Sequence, residues 1–267
     1  MARVSVTYEN NIAHVRLTRA DKMNAVDQEM ISAVIAAGED VATSQARVVI
    51  LSGEGKAFCA GIDITGLSTM IGQDPSELLM PRTHGAGPDG ANTTNQWQEF
   101  AMVWARMDIP VIAAVHGACF GAGIQLALGA DIRIASREAK FAVMEMKWGI
   151  VPDMGGMVLL PRLVRGDVLR RLTYTAEPVE AAQAERWGLV TEIADDPLAA
   201  AQALAEAIAG KSPSAIRAAK RLISLAQTEG PAAVLEAESR AQADLMGKPH
   251  QMEVVAAAFA KRAAVFD

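Results

Sequence analysis

The chain has 267 residues, 51% of them hydrophobic but only 4% aromatic, and carries a formal net charge of −6. That length suits a single α/β body with a sizeable core, and an acidic chain with scattered Lys and Arg excludes a nucleic-acid surface. Two cysteines are too few for a disulfide framework, and no apolar run reaches membrane-spanning length.

The opening Met-Ala-Arg-Val-Ser-Val has no signal-peptide pattern, so the expected location is a reducing cytoplasm. Residues 4–8 and 12–17 alternate in strand fashion around Glu9-Asn10-Asn11, which predicts a hairpin. Asp27 is placed to cap a helix over residues 28–42, with apolar positions at Met30, Ile31, Val34 and Ile35. Residues 47–51 read as a strand covered on both faces, because an apolar run, Val48-Val-Ile-Leu51, follows Arg47. A loop of mostly small residues follows at 53–63, laced with glycine and closed by Asp63.

Residues 66–95 hold Gly72, Pro75, Pro81, Gly85, Gly87, Pro88 and Gly90, which break any long element. They predict an irregular flap with short helices, either a selector of substrate or a tolerated surface insertion. A second apolar strand over 110–115 delivers a second glycine loop at 116–125, with a helix starting near Gly121. A strand over 132–135 repeats the pattern. Beyond Pro178 helices are predicted over 179–186, 197–209, 213–227, 231–246 and 250–265, with proline near each start and abundant alanine. The last three are too apolar to lie free in water, so they are expected to pack on the body or on a neighbouring subunit.

Several chemistries are excluded. There is no Gly-x-Ser-x-Gly elbow, Lys56 is followed by Ala57 instead of Ser or Thr, and Gly121-Ala-Gly123 lacks the rest of a dinucleotide fingerprint. His14, His84, His116 and His250 are isolated, so no metal site is expected. Cys59 and Cys119 read as small buried thiols. What remains is two backbone-donor loops and carboxylates. Converging N–H groups can hold a developing oxyanion, although glycines alone also permit close helix–strand packing. Glu145 sits in an apolar stretch, where burial would raise its pKa and suit it to take and return a proton; a salt bridge to Lys147 or Arg133 is the alternative. Asp153 is either a site residue or the cap of a helix beginning at Met154.

The ordered set of motifs resembles the crotonase superfamily, the enoyl-CoA hydratase/isomerase family, over nearly the whole chain. Leu17-Thr-Arg-Ala-Asp-Lys-Met-Asn-Ala25 is similar to its first CoA-contacting segment and Ala57-Phe-Cys-Ala-Gly-Ile-Asp63 to its first oxyanion-loop motif. Residues 117–125, 130–135 and 149–156 follow in family order, and Lys261-Arg262 with Phe266 is similar to the family's ending. The resemblance implies an α/β fold, a spiral of ββα units over 1–195 holding an acyl-CoA site. A C-terminal helical region over 196–267 would serve packing and association into trimers or dimers of trimers. It implies an acyl-CoA thioester as substrate, with coenzyme A as part of that substrate and no separate cofactor. The oxyanion donors would be the N–H groups of Ile62 and Ala122, each worth roughly 3–4 kcal/mol in such holes. CoA would lie near Lys22, Met23, Ala25 and Ala60, with Lys261 as a further cation.

The chain departs from hydratases of the family at Gln125, where they carry the first of two glutamates. An amide cannot exchange a proton, so the expectation is double-bond isomerisation by Glu145 alone, with Gln125 orienting substrate or a water. In dienoyl-CoA isomerases of the family an aspartate stands at the position of Asp153, which makes it a possible second proton carrier. The alternatives are hydration with Gln125 in place of the first acid, or a catalytically weak CoA-binding scaffold. Dehalogenation, which would use Asp153 as nucleophile, needs a histidine base that His84 is not placed to supply.

Overall fold

Asn10 and Asn11 both take left-handed backbone (φ 49° and 63°), the geometry of a tight turn between twisted strands. They join β1 (Val4–Glu9) to β2 (Ile12–Leu17) as the predicted antiparallel hairpin. The computed structural model describes residues 2–67, 74–81, 84 and 93–266. In chain order follow α1 (Gln28–Thr43), β3 (Val48–Gly53), α2 (Ile64–Leu67), α3 (Pro75–Leu79) and α4 (Gln96–Ala105). Then come β4 (Val111–Val115), β5 (Ala118–Phe120), α5 (Ala122–Leu128), β6 (Ile132–Ala135) and β7 (Lys140–Ala142). The second half runs α6 (Gly156–Leu159), α7 (Gly166–Thr175), β8 (Val179–Glu180), α8 (Ala181–Arg186), β9 (Glu192–Ile193) and α9 (Pro197–Ala209). The chain ends with α10 (Pro213–Ala226), α11 (Pro231–Leu245) and α12 (Pro249–Phe259).

A six-stranded sheet has the order β1-β2-β3-β4-β6-β9, parallel except for the opening hairpin. A second, three-stranded sheet has the order β5-β7-β8. Two turns of the spiral give one strand to each layer before a helix, β4-β5-α5 and β6-β7-α6. The turn after β3 contributes Cys59, which bridges to Cys119 in β5. The predicted ββα spiral with C-terminal helices is therefore the fold.

Alternation along the large sheet explains its burial. Ala13, Val15, Val49, Leu51, Val111 and Val115 join the cluster that holds residues of α1, α4 and α5. Ile12, Val48, Ile50, Ile112 and Ile134 face the opposite way and pack on Ala201, Ala205 and Ala209 of α9. These alanines, four residues apart, let the helix lie close to the strands. Asp27 caps α1 as predicted, its side chain accepting from Met30 N–H at 2.8 Å. Gly38 permits close contact with α4, since a Cβ there would lie 2.6 Å from Val103 Cγ2.

Three expectations need correction or placement. Residues 179–186 are not one helix: β8 forms first, pairing antiparallel with β7, and α8 comes after it. The last helix stops at Phe259, short of residue 265, and Lys261 just beyond it takes φ 50°. Of the predicted flap, residues 68–73, 82–83 and 85–92, with Gly72, Gly85, Gly87, Pro88 and Gly90, lie outside the described residues.

The C-terminal helices lean lightly on the body. Helix α10 buries Ala218 and Lys220, α12 buries Ala257, and α11 buries none of its residues. Lys220 Nζ ties α10 down through Ile109 O at 2.9 Å and Asp131 Oδ2 at 2.8 Å.

Candidate active site

The first glycine loop is built around a buried amide. Asn24 holds left-handed backbone (φ 53°), and its Nδ2 donates to the carbonyls of Glu54, Ala57 and Phe58 at 2.9–3.2 Å. Its Oδ1 accepts from Arg19 N–H at 2.9 Å. Asn24 thus fastens the 19–25 turn to the loop that leaves β3. Sequence reasoning passed over it inside Met23-Asn24-Ala25; its only local signal is that Asn tolerates the left-handed region better than most residues.

Beyond Asn24 the loop runs beside the same turn. Ala60 N–H donates to Met23 O, Val26 N–H to Gly61 O and Asp63 N–H to Val26 O, all at 2.8–2.9 Å. This short parallel bridge uses Gly61 and Asp63, so the Ile62 N–H faces away from it. Arg19 pairs with Asp63 at 2.8 Å. Hydrogen bonding to Thr65, and to Arg19, holds the Asp63 carboxyl down at about 2.

In the second loop Gly121 takes φ 50° and caps α5, and its N–H donates to Ala142 O at 2.9 Å. The first intrahelical bond runs from Gln125 N–H to Gly121 O, which leaves the N–H groups of Ala122, Gly123 and Ile124 outside the helix ladder. Both loops are glycine-rich because they touch. A Cβ on Gly121 would lie 3.9 Å from Gly61 Cα, and one on Gly123 would lie 2.4 Å from Cys59 O. Ile62 and Ala122 come one residue after Gly61 and Gly121, so the two predicted donors sit on facing loops.

Glu145 stands against the same spot, its Oε1 3.8 Å from where a Gly121 Cβ would be. It opens a short 3-10 turn over Glu145–Trp148 and is 6% exposed. It forms no salt bridge to Arg133, which donates instead to Leu189 O and Ala130 O, or to Lys147, which lies over the Trp148 ring. Oε1 accepts from Gln125 Nε2 at 2.7 Å, while the buried Oε2 has no partner among the described residues. Burial raises the Glu145 pKa, and the nearby Asp153 charge adds to the rise.

Gln125 is held from two sides: its Oε1 accepts from Met154 N–H at 2.8 Å and Gly156 N–H at 2.9 Å, and its Nε2 donates to Glu145 Oε1 at 2.7 Å. The side chain is 1% exposed. Asp153 corrects an expectation: α6 begins at Gly156 with Gly155 in the cap position, so Asp153 caps no helix beginning at Met154. Its carboxyl is likewise raised by desolvation. Between the two acids in the chain, Met146, Trp148, Ile150 and Val151 present exposed apolar side chains.

Of the predicted CoA contacts, Met23 and Ala60 are joined by a hydrogen bond, and Lys22 and Ala25 share the same turn. Lys261 lies just beyond α12, and the tail that follows it is tied through Phe266 O to Arg47 Nη2 at 2.7 Å, next to the start of β3. Cys59 and Cys119 are buried; burial pushes the Cys59 thiol up to about 12, and its Sγ donates to Asn24 O.

Comparisons with known proteins agree with this architecture. The profile of a family described as Enoyl-CoA hydratase/isomerase matches residues 7–267. The chain is 34% identical over 227 residues to the human mitochondrial Delta(3,5)-Delta(2,4)-dienoyl-CoA isomerase. That match covers 79% of this chain and 65% of the relative, so the chain spans just under two thirds of that protein's length. It is 31% identical over 262 residues to the 1,2-epoxyphenylacetyl-CoA isomerase of Escherichia coli (strain K12), covering 97% of this chain and 95% of that one. Among solved structures, an enoyl-CoA hydratase from Polaromonas sp. JS666 superposes with a TM-score of 0.87 at 26% identity over 99% of both chains. With the profile running almost from end to end and a full-length isomerase relative beside it, the chain belongs to the enoyl-CoA hydratase/isomerase family, the crotonases.

Proposed function

We propose that the chain isomerises the double bond of an unsaturated acyl-CoA, with Glu145 as the one acid–base group and the N–H groups of Ile62 and Ala122 as the oxyanion hole. The observation that carries this reading is a buried carboxyl with one oxygen unpartnered among the described residues, set against the contact of two glycine loops, with an amide where a second acid would be needed. A 3-enoyl thioester would lose a C2 proton to Glu145 while its carbonyl oxygen takes up the charge of the resulting dienolate. The same proton then returns at C4, leaving the double bond between C2 and C3. Two preorganised donors favour the charged oxygen over the neutral carbonyl, which lowers the barrier and not just the binding energy.

A single acid suffices for this shuttle, whereas water addition normally uses two around one water molecule. The apolar rim of Trp148, Ile150 and Val151 suits a hydrocarbon chain. Similarity to two CoA isomerases supports the same direction. Asp153, raised and close enough to act on Glu145, supports a second version in which it carries the proton at the far end of a conjugated diene. CoA would be gripped along Lys22, Met23, Ala25 and Ala60, and the lightly packed α10–α12 would associate with neighbouring subunits as a trimer or dimer of trimers.

The test is a panel of 3-enoyl, 2-enoyl and 3,5-dienoyl CoA thioesters with purified protein. Conversion of the 3-enoyl or dienoyl compound with little hydration of the 2-enoyl compound is the expected result. Hydration as the main reaction would overturn isomerisation, and CoA binding without turnover would favour the scaffold alternative.

A further inference from the structure

The contacts of Gln125 go further than the loss of an acid. We propose that Gln125 is a positioning residue: by donating to Glu145 Oε1 it leaves Oε2 as the atom that takes and returns the substrate proton, and it keeps a second carboxyl out of direct contact with Glu145. This rests on the isomerase reading for its substrate, but the contacts themselves do not depend on it.

The amide's orientation is fixed by chemistry. Two backbone N–H groups, from Met154 and Gly156, converge on one Gln125 side-chain atom, which must be the oxygen; the NH2 group is then the atom facing Glu145. A carbonyl-type oxygen accepts this donor better than a hydroxyl oxygen, so a proton on Glu145 settles on Oε2. That oxygen is buried and has no hydrogen-bond partner among the described residues. Gln125 also lies one turn along α5 from Ala122, so a single helix sets both the base and one proposed oxyanion donor. The fit is close: a Cβ on Gly156 would stand 2.8 Å from Gln125 Oε1. The clamp therefore joins three parts of the site: the turn that carries Glu145, the loop that carries Asp153, and the start of α5.

Charges near Glu145 are few among the described residues. Asp153 acts on it from the following loop, and Lys147 on its own turn lies over Trp148. On α7, which packs against this turn, Asp167 pairs with Arg165, Arg170 bonds Gly166 O and Arg171 lies over Trp187. Gln125 is thus a neutral group in direct contact with Glu145 Oε1, and Asp153 is the charge that acts on the carboxyl. A glutamate there would keep the bonds to Met154 and Gly156 but set a second carboxyl 2.7 Å from Glu145 Oε1. Two such groups cannot both ionise freely, and they would titrate as a coupled pair.

The experiment is a 13C NMR titration of the side-chain carboxyl of Glu145 in the full chain, its signal assigned by its absence in Glu145→Gln. In Gln125→Glu, two coupled steps are expected, the upper one at least tenfold tighter in proton affinity than the single wild-type step. In Gln125→Met, a single step is expected, shifted upward because the donor is gone. A folded Gln125→Met variant with the wild-type midpoint overturns the proposal. If that variant does not fold, a single wild-type step in Gln125→Glu overturns it equally. Turnover of a 3-enoyl thioester is measured on the same samples. Shifted titrations without wild-type turnover would sink only the isomerase reading, and turnover with unshifted titrations would sink only the role of Gln125.

Discussion

Glu145 combines burial with an oxygen that has no partner among the described residues, and both shape what its variants will do. Glu145→Gln keeps the shape and the contact with Gln125 but cannot carry a proton. A loss of roughly 10²–10⁴ in kcat with CoA affinity retained is expected, read by steady-state assay and calorimetry. The pH dependence comes from the sign of the shift. Abstraction needs the ionised carboxyl, and burial with the Asp153 charge raises its pKa, so kcat/KM falls on the acid side at a pH above the ordinary glutamate range. Asp153→Asn removes one of those causes, and the acid limb should move to lower pH; a limb that stays in place would mean that Asp153 does not sense Glu145. Glu145 is legible in the sequence because a carboxyl is costly within an apolar run unless it is paired or put to use. The roles of Asn24 and Gln125 are not, because each is defined by partners about 20 to 34 positions away that no local pattern reveals.

At the level of elements, the glycine loops work by contact between backbones. Gly123→Ala would set a methyl group 2.4 Å from Cys59 O, so the loops must separate. A destabilisation of about 1–3 kcal/mol by chemical denaturation is expected, together with a fall in kcat larger than any change in KM. A variant with native stability and turnover would show that the loops can part without consequence. The strands that deliver these loops are easy to read, since β3 and β4 are apolar runs buried on both faces. The second layer is not: β5 and β7 have three residues each and β8 two, too short for any period to emerge. Residues 179–180 merge with the helical pattern of α8 in the sequence, because only pairing with β7 makes them a strand.

For the whole molecule, the alanine content of the second half has two meanings that composition alone does not separate. In α9 it allows a helix to press onto the sheet, whereas α10–α12 keep Ile223, Leu235, Met252 and Phe259 exposed, Phe259 at 88%. Sedimentation should find an assembly larger than one chain, and replacing both Leu235 and Phe259 by glutamate should shift it toward single chains while the strand content stays unchanged. A monodisperse single chain at micromolar concentration would remove this expectation. Because α11 buries none of its own residues, its order in an assembly would be on loan from the subunit that covers it. Dilution should therefore fray the carboxyl-terminal hairpin before the sheet loosens, and hydrogen exchange there should depend on protein concentration while exchange in the central strands does not.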